Sequence, residues 1–258
     1  MQRPIGIFDS GLGGSSVWRE IVKLLPHEDT LYLADSANAP YGEKSPRDIQ
    51  RLSIKNTEFL VDRGCKIIVV ACNTATTNAI AHLRANYDLP FIGIEPAIKP
   101  AALQTVSGKV GVLATKGTLA SSLFHSTSKL YAAGISILEQ EGTGLVELIE
   151  AGKAGGREAR LLLEGYLRPM LDQGMDCLVL GCTHYPYLLP LLRDILPPGF
   201  KIMDSGEAVA RQTKAVLERY DLLRSKGEAR HSFYINRDSR VLKDLVDGPG
   251  VAVSQLDF

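Results

Sequence analysis

Four thiols are the side chains here best suited to proton-transfer or nucleophilic chemistry, and their surroundings sort them into two pairs. Cys72 ends an apolar run and is followed by Asn73, Thr74, Ala75, Thr76 and Thr77, where a helix begins. Asn73, Thr74 or Thr76 can cap that helix, and its free backbone N–H groups favour an anion. A thiol at such a strand-to-helix turn is expected to have a lowered pKa. Cys182 stands in the same setting, after Val179-Leu-Gly and before Thr183-His184-Tyr185-Pro186, with Pro186 suited to a first helical turn. Cys65 and Cys177 stand where strands start, away from any ligand, and read as packing residues. The spacings C-x6-C and C-x4-C, with no second Cys/His pair nearby, do not match zinc patterns.

Two equivalent thiols at one cleft suit few reactions. A single-cysteine hydrolase needs one nucleophile, its base and an oxyanion site. Inversion at a carbon needs two acid/base groups on opposite faces, one removing a proton while the other delivers one. Cysteine suits that task when one member is thiolate and the other thiol. Nearby, Asp9 either helps this chemistry or caps the next segment. His184, two residues after Cys182, is either a participant or a satisfied structural histidine. Neutral donors dominate the motifs (Ser10, Asn73, Thr74, Thr115, Thr118 and Thr183), with no arginine clamp. Gly11, Gly13 and Gly14 allow close backbone approach or merely form a tight turn. They match neither the G-x-G-x-x-G fingerprint nor a phosphate loop. Glu147 and Glu150 lie three apart on one helical face, a spacing that a solvated face also explains. Tyr166, Tyr185 and Tyr187 read as packing or rim residues.

Elements must bring these groups together. Strands are predicted at 4–8, 30–34, 65–71, 91–94, 110–114, 135–138, 177–180 and 201–203, several apolar on consecutive positions, as in parallel strands covered on both faces. Helical periodicity covers 17–25, 46–63, 75–86, 118–133, 157–173 and 206–220. This alternation predicts a doubly wound α/β architecture. The plan occurs twice. Ile5-Gly-Ile-Phe-Asp-Ser-Gly-Leu-Gly-Gly14 and Val110-Gly-Val-Leu-Ala-Thr-Lys-Gly-Thr118 are each a strand entering a polar loop, and 63 and 67 residues after Asp9 and Thr115 come Cys72 and Cys182. The expectation is two pseudo-symmetric α/β domains with mostly parallel sheets facing a central cleft. Ligands bind at the carboxyl ends of parallel strands, which places both thiols there.

Five blocks in order, Phe8-Asp-Ser-Gly-Leu-Gly-Gly14, Ala39-Pro-Tyr-Gly-Glu43, Ala71-Cys-Asn-Thr-Ala-Thr76, Gly111-Val-Leu-Ala-Thr-Lys-Gly-Thr118 and Gly181-Cys-Thr-His-Tyr-Pro186, closely resemble the bacterial glutamate racemases. The resemblance implies interconversion of L- and D-glutamate without pyridoxal phosphate or metal, supplying D-glutamate for peptidoglycan. It implies Cys72 and Cys182 as the acid/base pair; Asp9, in the same half as Cys72, and His184, after Cys182, are expected to assist them. Asp9, Ser10, Tyr41, Gly42, Asn73, Thr74, Thr183 and His184 would line the substrate site, and Glu150 would approach the substrate ammonium. It also implies a discontinuous first domain, residues 1–97 plus 208–258, around a second of 98–207. Relatives are commonly dimers, so a homodimer is the assembly to test. Some carry an extension before the first strand that binds a cell-wall precursor; this chain starts at that strand, so that regulation is not expected.

Composition is compatible with this and narrows the rivals. Lys+Arg and Asp+Glu both number 29, a net charge of zero, which gives no reason to expect a nucleic acid or an anionic membrane as partner. The start has no apolar h-region or small-residue cleavage site, so a cytoplasmic protein without a disulfide framework is expected. An aspartate or hydantoin racemase differs in pocket volume. A two-lobed ligand-binding module lacks its export signal here, and a zinc hydrolase is testable with a chelator. The final forty residues match no motif.

Overall fold

The computed structural model describes residues 3–131 and 134–258 and contains ten strands in two all-parallel sheets. The strands are β1 (Ile5–Asp9), β2 (Thr30–Ala34), β3 (Ile67–Val70), β4 (Phe91–Gly93), β5 (Lys109–Ala114), β6 (Ser136–Glu141), β7 (Cys177–Gly181), β8 (Lys201–Met203), β9 (His231–Ile235) and β10 (Val251–Gln255). The helices are α1 (Ser15–Leu24), α2 (Pro46–Asp62), α3 (Asn73–Asn86), α4 (Ile98–Gln104), α5 (Lys116–Leu119), α6 (Ser122–Tyr131), α7 (Leu145–Glu150), α8 (Arg157–Asp172), α9 (Leu189–Ile195), α10 (Gly206–Arg219) and α11 (Arg240–Val246).

One sheet has six strands in the order β10-β9-β2-β1-β3-β4, the other four in the order β6-β5-β7-β8. The central strands IGIFD, TLYLA, IIVV and CLVLG are buried at every position, which is why they are apolar without alternation. In each sheet the strand carrying the first polar loop sits beside the strand leading to a cysteine: Phe8 pairs with Val70, and Ala114 with Gly181. Those pairings put the Asp9 and Cys72 ends side by side, and likewise the Thr115 and Cys182 ends.

The chain passes between the sheets after β4 and again after β8. The crossings are stitched together by the Ser205 hydroxyl, which donates to the Glu95 carbonyl. Beyond the second crossing α10 packs on α1, beside the six-stranded sheet.

Two strands carry no sequence signal, and one expectation is corrected. Strands β9 and β10, for which no strands were predicted, extend the first sheet. Along β9, residues His231-Ser-Phe-Tyr-Ile are alternately buried and half-buried, and β10 is mostly exposed, so neither carries the apolar run of its neighbours. The helix expected over 118–133 is two helices. Ser121 interrupts it, its hydroxyl accepting from the Phe124 N–H at 3.1 Å and so starting α6 anew; Ala132 and Ala133, at the expected end, lie outside the described residues. None of the described helices is long and apolar enough to cross a membrane.

Candidate active site

The carboxyl ends of β1, β3, β5 and β7 converge on a small pocket, about 270 Å³ with its open mouth included. Its wall includes Ser10, Tyr41, Gly42, Cys72, Asn73, Thr74, Thr115, Thr118, Cys182, Thr183 and His184, together with Pro40, Val146 and Gly181. Thus both thiols face one small space, each from its own sheet. Both are buried, at 5% and 8% exposure. Cys65 and Cys177 are buried away from this pocket, where burial pushes their thiols up to about 12 and about 11.

The two thiols differ in their supports. Cys72 is itself the N-cap of α3, its sulfur accepting from the Ala75 N–H at 3.4 Å. Asn73, Thr74 and Thr76 therefore do not cap. Their side chains are free for other tasks: Asn73 Oδ1 is buried without a partner, and Thr76 Oγ1 donates to the Val70 carbonyl. Cys182 leads instead into a short 3-10 turn, Tyr185–Leu188, and its sulfur lies 3.8 Å from His184 Nδ1. The expectation of matched settings is corrected, because the helix beside one thiol is replaced by an imidazole beside the other.

The expected lowering of the Cys72 pKa is also corrected. Burial pushes this thiol well above its ordinary value, the Asp9 carboxylate and Cys182 add to the rise, and the Ala75 N–H offsets only part. One helix terminus does not outweigh removal from water beside a carboxylate.

Asp9, expected in the substrate site, is fully buried and does not itself line the pocket, which its neighbour Ser10 does. The Gly14 N–H donates to its Oδ2 at 2.6 Å, and the Thr183 hydroxyl, from the other half, reaches Oδ1 and Oδ2 at 3.5 and 3.4 Å. Burial pushes its carboxyl up to about 6 despite the pull of the His184 charge and the Gly14 N–H. For His184 burial favours the neutral ring, but hydrogen bonds to Cys182 and Glu150 outweigh it and raise its pKa well above the usual value. Burial likewise opposes the Glu150 charge, yet His184, the Leu12 N–H and the Ser36 hydroxyl hold that carboxyl below its ordinary value. Glu150 accepts from Leu12 at 2.7 Å and from Ser36 at 2.8 Å, and its Oε1 is 2.7 Å from His184 Nε2. An imidazolium carries a proton on Nε2, so the 3.3 Å approach of the Gly13 N–H to that atom is packing and the Glu150 contact is the hydrogen bond.

Thr74, Thr115 and Thr118 form a hydroxyl triangle of 2.9, 3.1 and 3.3 Å edges that spans the two halves. Such groups hold a carboxylate without a fixed opposing charge. Among the described residues no cluster of three or more His, Cys, Asp or Glu side chains is arranged to hold a metal.

Residues 5–213 match the family described as Asp/Glu/Hydantoin racemase. The chain belongs to that family. Its relatives include a glutamate racemase of Stutzerimonas stutzeri, 51% identical over 236 residues that cover 91% of this chain and 89% of the relative. Escherichia coli glutamate racemase, solved with L-glutamate and the activator UDP-MurNAc-ala, superposes with a TM-score of 0.85 at 36% identity, covering 98% of each chain. Francisella tularensis glutamate racemase, solved with D-glutamate, gives 0.83 at 27% identity over 98% of this chain and 97% of that one.

Within this racemase fold some of the expected site residues stand back from the pocket. Glu150 does not line it; it sits behind His184 and against the Gly11–Gly14 loop, with Glu147 exposed on the same helix. Tyr41 lines the pocket, but its hydroxyl donates to Asp35 and accepts from Asn56 at 3.1 Å. Sequence reasoning missed Asp35 and Ser36, though a signal was present: Asp35-Ser36 leaves β2 as Asp9-Ser10 leaves β1. Pro40 and Val146, which line both the pocket and a wider groove beside α11, carried no chemical signal.

Proposed function

We propose that the protein interconverts L- and D-glutamate by removal and return of the α-proton, and so supplies D-glutamate for peptidoglycan. The observation that carries the reading is that Cys72 and Cys182 reach one small pocket from two different sheets. One sulfur takes the α-proton as thiolate while the other, as thiol, gives its proton to the opposite face of the carbanion. After turnover their protonation states are exchanged. Cys72 is the base toward D-glutamate and Cys182 toward L-glutamate.

The surrounding groups have separate tasks. His184, held as imidazolium by Glu150, exchanges a proton with Cys182, and buried Asp9 serves Cys72. A substrate ammonium in the pocket offsets the buried Asp9 charge that helps raise the Cys72 pKa, so binding itself favours the thiolate. Ser10, Asn73, Thr183 and the Thr74, Thr115 and Thr118 hydroxyls, with the backbone at Tyr41 and Gly42, hold the two carboxylates. The reaction needs no cofactor. In this reading the molecule comprises a first domain of residues 1–97 with 208–258 and a second of 98–207, works in the cytoplasm and pairs as a homodimer.

Incubation with L-glutamate in D2O tests the reaction. Optical rotation should decay to zero while deuterium enters Cα of the product. Exchange without loss of rotation, or turnover of aspartate or a hydantoin but not glutamate, would refute the reading.

A further inference from the structure

The last strand pair has a task beyond completing a sheet. Asn236 follows β9 immediately and grips the turn leading to the pocket from two sides. Its Oδ1 accepts from the Ala37 N–H at 2.8 Å, and its Nδ2 donates to Asp35 Oδ1 at 2.6 Å. Asp35 is fully buried and gathers further donors: Asn38 Nδ2 at 2.9 Å, Lys55 Nζ at 3.2 Å and, on its other oxygen, the Tyr41 hydroxyl. Lys55 is itself held by the Phe258 carbonyl at 3.0 Å.

Tyr41 is therefore fixed by its far end. Its hydroxyl is engaged by Asp35 and Asn56, while Tyr41 and Gly42 line the pocket together with the thiols and the threonine triangle. Gly42 packs directly on Thr115 of the opposite half; a Cβ there would lie 2.8 Å from Thr115 Cβ. A turn pressed against the other half on one side needs an anchor on the other, and Asn236 provides it.

We propose that Asn236 is a positioning residue for the substrate site: through Asp35 and Tyr41 it sets where the Tyr41–Gly42 backbone meets the substrate. The consequence for glutamate rests on the function proposed above; the anchoring itself does not. Two readouts separate them. Hydrogen exchange measured without ligand reports the anchor alone. In Asn236→Ala, amides of residues 36–43 should exchange faster while those of β1 and β3 are unchanged. Glutamate kinetics report the consequence. Asn236→Ala should raise KM about 5- to 10-fold with kcat altered less than about 3-fold, as expected when the two hydrogen bonds that orient a binding group are lost.

A cycle with Tyr41→Phe removes the ambiguity of a merely weakened fold. If Asn236 works through Asp35 and Tyr41, the double variant should have a KM close to that of Tyr41→Phe alone, because the transmitting hydroxyl is already gone. Ser232→Ala, at the opposite end of β9, should leave KM, kcat and the exchange pattern unchanged. Unchanged exchange at residues 36–43 in Asn236→Ala, or KM effects that multiply in the double variant, would overturn the proposal. A wild-type protein inactive on glutamate would instead overturn the function while the exchange result still decides the anchor.

Discussion

A thiol held out of water beside a carboxylate is a reluctant acid, and Cys72 is in that position until something positive enters the pocket. Cys72→Ala and Cys182→Ala should therefore each abolish racemisation with the fold intact, whereas Cys65→Ala should keep full activity and cost on the order of 1 kcal/mol. Asp9→Asn and His184→Asn should divide the two directions. Enantiomers have equal free energy in water, so kcat/KM must stay equal in both directions for every variant, and the asymmetry appears elsewhere. Deuterium at Cα should slow the D-to-L direction more in Asp9→Asn and the L-to-D direction more in His184→Asn. Identical isotope effects in both variants would refute this division of labour. Asp9 also predicts a pH dependence. Its folded carboxyl titrates at about 6, above the ordinary 3.8, so between those values the native state keeps a proton that the unfolded chain has lost. Stability must fall as pH rises through that window and level off above it. Urea midpoints of Asp9→Asn should lack that fall, and kcat/KM of the wild type should show an acid limb near pH 6 that the residual activity of the variant lacks.

Among the elements, the Gly11–Gly14 loop and α7 depend on each other. A Cβ on Gly13 would lie 2.2 Å from His184 Nδ1, and one on Gly11 would lie 2.0 Å from Glu150 Oε1. The loop is glycine-rich because the His184–Glu150 pair from the other half packs on its backbone. Gly13→Ala should then displace the imidazole from Cys182, lowering kcat strongly and stability by about 1–3 kcal/mol. Gly64→Ala is the contrasting case, with φ +72 and nothing within 4 Å: a loss of about 1 kcal/mol and no change in turnover are expected. Turnover in Gly13→Ala equal to that of Gly64→Ala would sink the argument. This loop also marks how far the sequence could be read. Spacing and glycine content located it and allowed either a close approach or a tight turn, but could not say what approaches, because those groups lie 138 and 171 residues away. The central strands were legible from consecutive apolar residues buried on both faces. Strand β10 was not, because an exposed edge strand has no apolar run to read. The cap of α3 was misassigned for a local reason: a cysteine sulfur took a position that oxygen side chains usually fill.

For the molecule as a whole, side-chain contacts join the two halves beside the pocket, and passage of glutamate is expected to part them. The Ser16 hydroxyl donates to the Thr183 carbonyl at 2.9 Å, the Ser15 and Tyr187 hydroxyls meet, and Leu12 and Ser36 hold Glu150. Opening of such contacts commonly limits product release. In that regime kcat should fall as sucrose raises the viscosity, and less steeply in Ser16→Ala; a kcat indifferent to viscosity would show that chemistry is slower than opening. The pseudo-symmetric plan was legible from the two Asp/Thr-to-Cys spacings, but the stitching between the halves was not, since it joins residues unrelated in sequence. The order of the strands has a further consequence, for the birth of the molecule. All four strands of the second sheet lie between Lys109 and Met203, so that sheet has its full complement while the chain is still being made. The first sheet must wait: β2 keeps a bare edge until β9 arrives, joining Thr30 to His231 across 201 residues. An unpaired parallel edge invites association with other chains, and closing so long a loop is slow. A growing chain thus carries both thiols long before it has the Asn236 anchor, and the site where they are to work is among the last parts of the protein to form.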